Sequence, residues 1–132
     1  MNLTQEIINI QNVLMVGQKA LAELQKFAAT GEWLPFLDYV TEDVSITFSG
    51  QDSLGGVKVG KAELEKLLRT FSEDLGLRVT HTAKPPMINI TSFAAEFIAK
   101  GTLGGQAVQR SLIVVFDIQG DKIAAIREYA LS

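Results

Sequence analysis

Hydrophobic positions in the first thirty residues recur with a helical period. Ile7, Ile10, Leu14, Gly17, Leu21, Leu24 and Ala28 follow one another at spacings of three and four, and Val13, Ala20 and Phe27 widen the stripe. This predicts a helix over 4–30 with one buried face, capped by Asn2 or Thr4 and ended by Gly31. The heptad-like spacing also suits a coiled-coil dimer. The stripe is wider than an a/d seam, however, and Gly17 sits in it, so a helix laid over a sheet is the better reading. A second helix is predicted over 32–40, with Pro35 in its first turn and Trp33, Phe36, Leu37 and Val40 on its apolar side. Residues 43–49 then alternate cleanly, with Val44, Ile46 and Phe48 on one face of a half-buried strand.

The glycine-rich stretch 50–60 reads as a loop, and Leu64, Leu67, Leu68, Phe71 and Leu75 give a third helix over 61–75. From there the pattern is β. Residues 77–84 alternate, Pro85-Pro86 marks a bulge or an edge, and strands follow over 87–90 and 93–103. The chain closes with a hairpin, 108–117 and 122–131, turning at Gln119-Gly120-Asp121. The order predicts one α+β domain over residues 1–132. Its form is a curved antiparallel sheet with three helices on its concave face.

Composition narrows the function classes. A chain of 132 residues with 47% hydrophobic content supports a real core. The net charge of -3, with no basic cluster, argues against nucleic acid. The absence of cysteine removes thiolate nucleophiles, disulfides and zinc–thiolate sites. A single histidine makes a metal site a poor expectation, and no cofactor is expected. No membrane-spanning run or basic leader is seen, so a cytoplasmic protein is expected and the sequons at Asn2 and Asn89 read as chance. Gly55 to Lys61 fits G-x-x-x-x-G-K, but Ala62 stands where a phosphate loop needs Ser or Thr, and no βαβ unit precedes it.

Three polar residues stand out in apolar surroundings. His81 shares a strand face with Val79 and Ala83, so it points inward, either as a core histidine or as a pocket residue. Arg110 and Glu128 lie in the closing hairpin. If that hairpin turns about Gly120, Val114 faces Ile126, Leu112 faces Glu128, and Arg110 is a diagonal neighbour of Glu128. A charge pair on such a face is costly to bury, so it belongs either at the rim of a cavity or in a satisfied structural pair.

The whole chain resembles the nuclear transport factor 2-like superfamily, which includes ketosteroid isomerases, scytalone dehydratases and SnoaL-like cyclases. The resemblance rests on the long first helix ending at Gly31-Glu32-Trp33, the run from Phe36 to Val44, the strand to Gly50, the helix start at Gly60-Lys61-Ala62-Glu63, and the final meander. It implies a cone-like fold whose cavity often holds a small apolar ligand. Aligned with the ketosteroid isomerases, the general base and the two oxyanion donors fall on Phe48, Leu24 and Val114, all apolar, so that machinery is not expected. Two histidines, as in scytalone dehydratases, are not available. Glu128 can occupy the acid–base position of SnoaL-like cyclases.

The expected ligand site is therefore Trp33, Phe36, Phe48, Phe97, Leu112, Val114 and Ile126 as apolar lining, with His81, Arg110 and Glu128 as polar contacts. Glu128 and His81 are the acid–base candidates if the protein is an enzyme. A non-catalytic association module is the third reading. Ile98, Ile113, Val115, Ile123 and Ala125 are assigned to the outer face, where their apolar character implies a homodimer.

Overall fold

A computed structural model describes residues 2–49, 56–74, 78–81, 84–103 and 105–131. Helix α1 spans Leu3–Thr30; the Asn2 side chain accepts from the Gln5 N–H at 2.8 Å, and Gly31 closes the helix in the left-handed conformation, its N–H donating to Phe27 O. Its inward face, from Val13 to Phe27, is buried, whereas Leu3, Ile7, Ile8 and Ile10 are exposed. Helix α2 is only Leu34–Leu37, because Val40 already belongs to strand β1, Val40–Ser49. The chain is drawn into that strand by a long-range contact: the Ile123 N–H donates to Tyr39 O at 2.7 Å.

Strand β2, Gly56–Val59, occupies part of the stretch expected to be a loop. It is an extended edge strand paired antiparallel with β1, and the Gly60 N–H donates to Val44 O. That is incompatible with a phosphate-cradling loop; Gly55 lies outside the described residues. Helix α3, Lys61–Arg69, buries Leu64, Leu67 and Leu68 and passes into a π-helical turn, Thr70–Asp74. The Ser72 hydroxyl donates to Gly31 O, tying this turn back to the end of α1. The expected helix end at Leu75 and Gly76 lies outside the described residues.

The remaining strands are β3 (Arg78–His81), β4 (Met87–Ile88), β5 (Ser92–Leu103), β6 (Gln106–Gln119) and β7 (Lys122–Leu131). They form one sheet ordered β2-β1-β7-β6-β5-β3, with β4 on β5. The sheet is mixed rather than purely antiparallel, because β1 pairs with β7 in parallel. The curved sheet is open, and the helices pack on one face. Here α1 lies over β3, β5 and β6, and α3 lies over β1 and β2. Phe27, Phe93, Phe97 and Phe116 are fully buried between the layers. Each contributes roughly 1.5–3 kcal/mol by leaving water.

Candidate functional site

The sheet register fixes what the inner face presents. Reading across strands, one row is Phe93, Phe116, Ile126 and Ile46; the next is Ala95, Val114, Glu128 and Phe48; the next is Phe97, Leu112 and Ala130; and a last one holds Ala99 and Arg110. Phe36, Phe97, Val114 and Ile126 belong to one continuous buried cluster, Trp33 and Phe48 pack against it, partly buried, and Leu112 is buried beside Phe97 in the register. The seven apolar candidates are thus in or beside one core. Glu128 is half-buried in the midst of them, between Val114 and Phe48 in the register.

Arg110 does not sit where the simple hairpin register expects it. Glu128 is opposite Val114, not Leu112, which leaves Arg110 four residues further along β6, roughly 13 Å by strand rise. Arg110 is exposed, toward the free end of the long β5–β6 hairpin. The cause is local: Gln119 pairs with Lys122 around a two-residue turn at Gly120 and Asp121, and a bulge then leaves Ala124 unpaired. The bulge also reverses the facing of β7 on either side of it. Ile123, expected on the outer face, is therefore fully buried in the core, on the same side as Ile126. Ile98, Ile113, Val115 and Ala125 do lie on the outer side, since they alternate with core residues along their strands. His81 pairs with Phe97 through its backbone; the expected inward aim of its side chain lies outside what is described.

Trp33 stands at the junction of α1, α2 and α3. The Arg69 guanidinium carbon is 5.1 Å from the centre of its ring and is held there by Glu65, 3.1 Å away.

The strongest polar network was not legible in the sequence and lies on the outer face. Arg127 Nε and Nη2 donate to the two oxygens of Asp117, each at 2.8 Å; the Ser92 hydroxyl donates to Asp117 Oδ1 at 2.7 Å; and Arg127 Nη1 donates to the Tyr129 hydroxyl at 3.1 Å. Burial pushes the Asp117 carboxyl up, but the hydrogen bonds from Arg127 and Ser92 and the Arg127 charge outweigh it, leaving the group below the usual carboxylate range. Arg127 is raised in turn, first by its hydrogen bond to Asp117. A diagonal Asp–Arg pair could have been sought from the charges alone, but only the bulged register brings these two side chains together.

Among the described residues no cluster of His, Asp and Glu could hold a metal, and no helix is long and apolar enough to cross a membrane.

No protein-family model and no curated protein matches the chain. Solved structures do. An NTF2-like (nuclear transport factor 2-like) protein from Anabaena variabilis is 30% identical over 92% of this chain and 90% of its own, with a TM-score of 0.79. A proposed SnoaL-like polyketide cyclase from Mesorhizobium loti is 19% identical over 85% of this chain and 97% of its own, at 0.65. An LEH-like epoxide hydrolase from M. tuberculosis is 15% identical over 86% and 80%, at 0.66.

Proposed function

Because the chain belongs to the NTF2-like family, we propose that the inner side of its sheet binds a small, mainly apolar organic molecule, with Glu128 as the polar contact. The observation that carries this reading is a half-buried carboxylate set among Val114, Phe48 and Ile126 on an otherwise apolar face. A carboxylate oxygen on an apolar face is a point at which a ligand hydroxyl or amine can be recognised by donating to it. Trp33, Phe36, Phe97 and Leu112 supply the apolar surround, and Arg110 lies further out on the same side of the sheet. Native mass spectrometry of protein purified from its source tests this. A co-purified small molecule is expected, and the Glu128→Gln and Arg110→Met variants should bind it less tightly. Parental affinity in both variants would remove the polar contacts from the proposal.

A catalytic version is favoured by the names of two fold relatives, a proposed SnoaL-like cyclase and an epoxide hydrolase. In it Glu128, or else His81, moves a proton to or from the bound molecule. Turnover that survives ligand exchange but disappears in Glu128→Gln separates this version from simple binding.

The outer face completes the proposal. Ile98, Ile113, Val115 and Ala125 lie there, and Tyr129, Val57 and Val59 on the same side are exposed, while the helices pack on the other side. On this reading a second copy covers the patch in a two-fold homodimer, which needs only one self-complementary surface.

A further inference from the structure

Glu23 is a carboxylate that neither the core nor the site described above accounts for. Its side chain is only 16% exposed, on a helix whose neighbouring positions Ala20, Leu24 and Phe27 are buried. Among the described residues its Oε1 has Lys26 Nζ at 3.5 Å, the long end of a contact, and Lys26 is itself largely exposed. Its Oε2 is out of contact with solvent and has no hydrogen-bond partner among those residues. Glu96 Oε2 also lacks a hydrogen bond, but Lys84 Nζ stands 3.1 Å from it. A buried acceptor left without a donor destabilises the fold, so Glu23 is not there for stability.

Two anchors place this residue. Asn12 Nδ2 donates to Gly120 O, at the turn between β6 and β7, and Gly17 lies against Phe93, in the row that contains Ile126. Helix α1 therefore climbs the inner face from that turn toward the rows beyond Phe93. Six residues past Gly17 is about 9 Å of helix, a little more than the roughly 7 Å between successive same-face residues of a strand. That sets Glu23 level with the next row, Ala95, Val114, Glu128 and Phe48. Around the helix, Glu23 is eleven residues on from Asn12, a net rotation of about 20°, so it leans to the same side, over β6 and β7. Two carboxylates thus border the inner layer at one level, Glu128 from the sheet and Glu23 from the helix.

We propose that Glu23 is a second polar contact for the molecule bound on the inner face, accepting a hydrogen bond at Oε2 from a ligand hydroxyl or ammonium. This rests on the ligand-binding reading and narrows it: the molecule carries donors at two separated points, joined by an apolar middle. The terminal torsion of a glutamate is broad, so Oε2 turns toward an arriving donor with little strain.

Glu23→Met tests it, because methionine keeps the length and the helix propensity while removing both oxygens. The urea midpoint of this variant should rise by roughly 0.3–1 M, since an unsatisfied buried acceptor is gone. For binding, the probes are three straight-chain compounds of equal length, an alkyl alcohol, a terminal diol and a terminal amino alcohol, titrated against the fluorescence of Trp33. The parent should bind the two-ended probes at least about tenfold more tightly than the alcohol. Glu23→Met should erase that preference and leave the affinity for the alcohol within about twofold. A midpoint at or below the parental value would make Glu23 a structural residue and overturn the proposal. So would a parent without the preference, or a preference that survives the substitution. Binding that needs Glu128 but not Glu23 sinks this inference alone, whereas no response to any probe sinks the ligand-binding reading with it.

Discussion

Replacing Gly17 with alanine tests the central packing of the fold. In most helix interiors this change stabilises by about 1 kcal/mol, because alanine is the better helix former. Here a Cβ at position 17 would lie 2.3 Å from both Cγ and Cδ2 of Phe93 and 2.8 Å from its Cβ, far inside contact distance. Phe93 cannot step aside easily. It is fully buried and stacked on Phe116 at 6.3 Å, and Phe116 packs against Phe36 at 6.0 Å. The helix must therefore lift from β5, or the ring must leave its rotamer. Overpacking of this kind costs typically 1–3 kcal/mol and sometimes more. With the helix-propensity gain subtracted, the expected result is a net loss of roughly 1–2 kcal/mol. Urea unfolding followed by the fluorescence of Trp33, the one tryptophan, measures it as a lower midpoint at unchanged slope. Gln18→Ala, one position round on the exposed side, serves as the neutral control. A Gly17→Ala midpoint at or above the parental value would refute the close α1–β5 contact. If the contact is right, the penalty should shrink in a Phe93→Ala background, where the clashing Cγ and Cδ2 are gone.

Further outcomes follow from the sheet. Ile113→Glu puts a charge at the middle of the outer face and should turn a dimer into a monomer by light scattering; a parental species that is already monomeric at micromolar concentration rules out the outer-face dimer. Asp117 is held below its unfolded value of about 3.9, so the stability it adds is full above that pH and is lost as pH falls through the lower folded value. Asp117→Asn should therefore flatten the acid limb of a stability profile below about pH 4. An unchanged limb would mean the pair contributes nothing. Asn2→Ala should cost about 1 kcal/mol at most of α1 stability, read as faster amide exchange confined to the first turns.

The sequence pattern carried the elements whose burial is local and periodic. The α1 stripe, the alternation of β1 and the closing hairpin are all where their residues suggested, and family membership supports the α+β reading. What it missed was set by long-range pairing. Residues 38–40 look helical until β7 captures β1 in parallel, and the glycines before Lys61 look like a loop until β2 pairs with β1. The hairpin faces were read from one assumed turn. A bulge at a small apolar residue leaves no mark in composition, yet it sent Ile123 inward and moved Glu128 away from Arg110.

That displacement changes what the hairpin's charges are for. Arg110 and Glu128 are no longer one unit: Glu128 is set in the apolar inner face, and Arg110 stands out toward the hairpin's free end. The structural ion pair is instead Asp117–Arg127, on the face expected to be plainly apolar. Left open to solvent, such a pair is worth about 1 kcal/mol or less. Covered by a second copy it behaves differently, because removing one partner strands the other charge out of water at about 3–5 kcal/mol. The network suits being covered: both Asp117 oxygens are engaged, Ser92 adds a donor, and Tyr129 takes an Arg127 N–H, so little hydrogen-bonding demand is left for water. Asp117→Asn thus reads the state of the outer face as well as the pair. A loss below about 1 kcal/mol that is independent of concentration means an open face. A loss several times larger, with dissociation, means that two copies meet over Arg127.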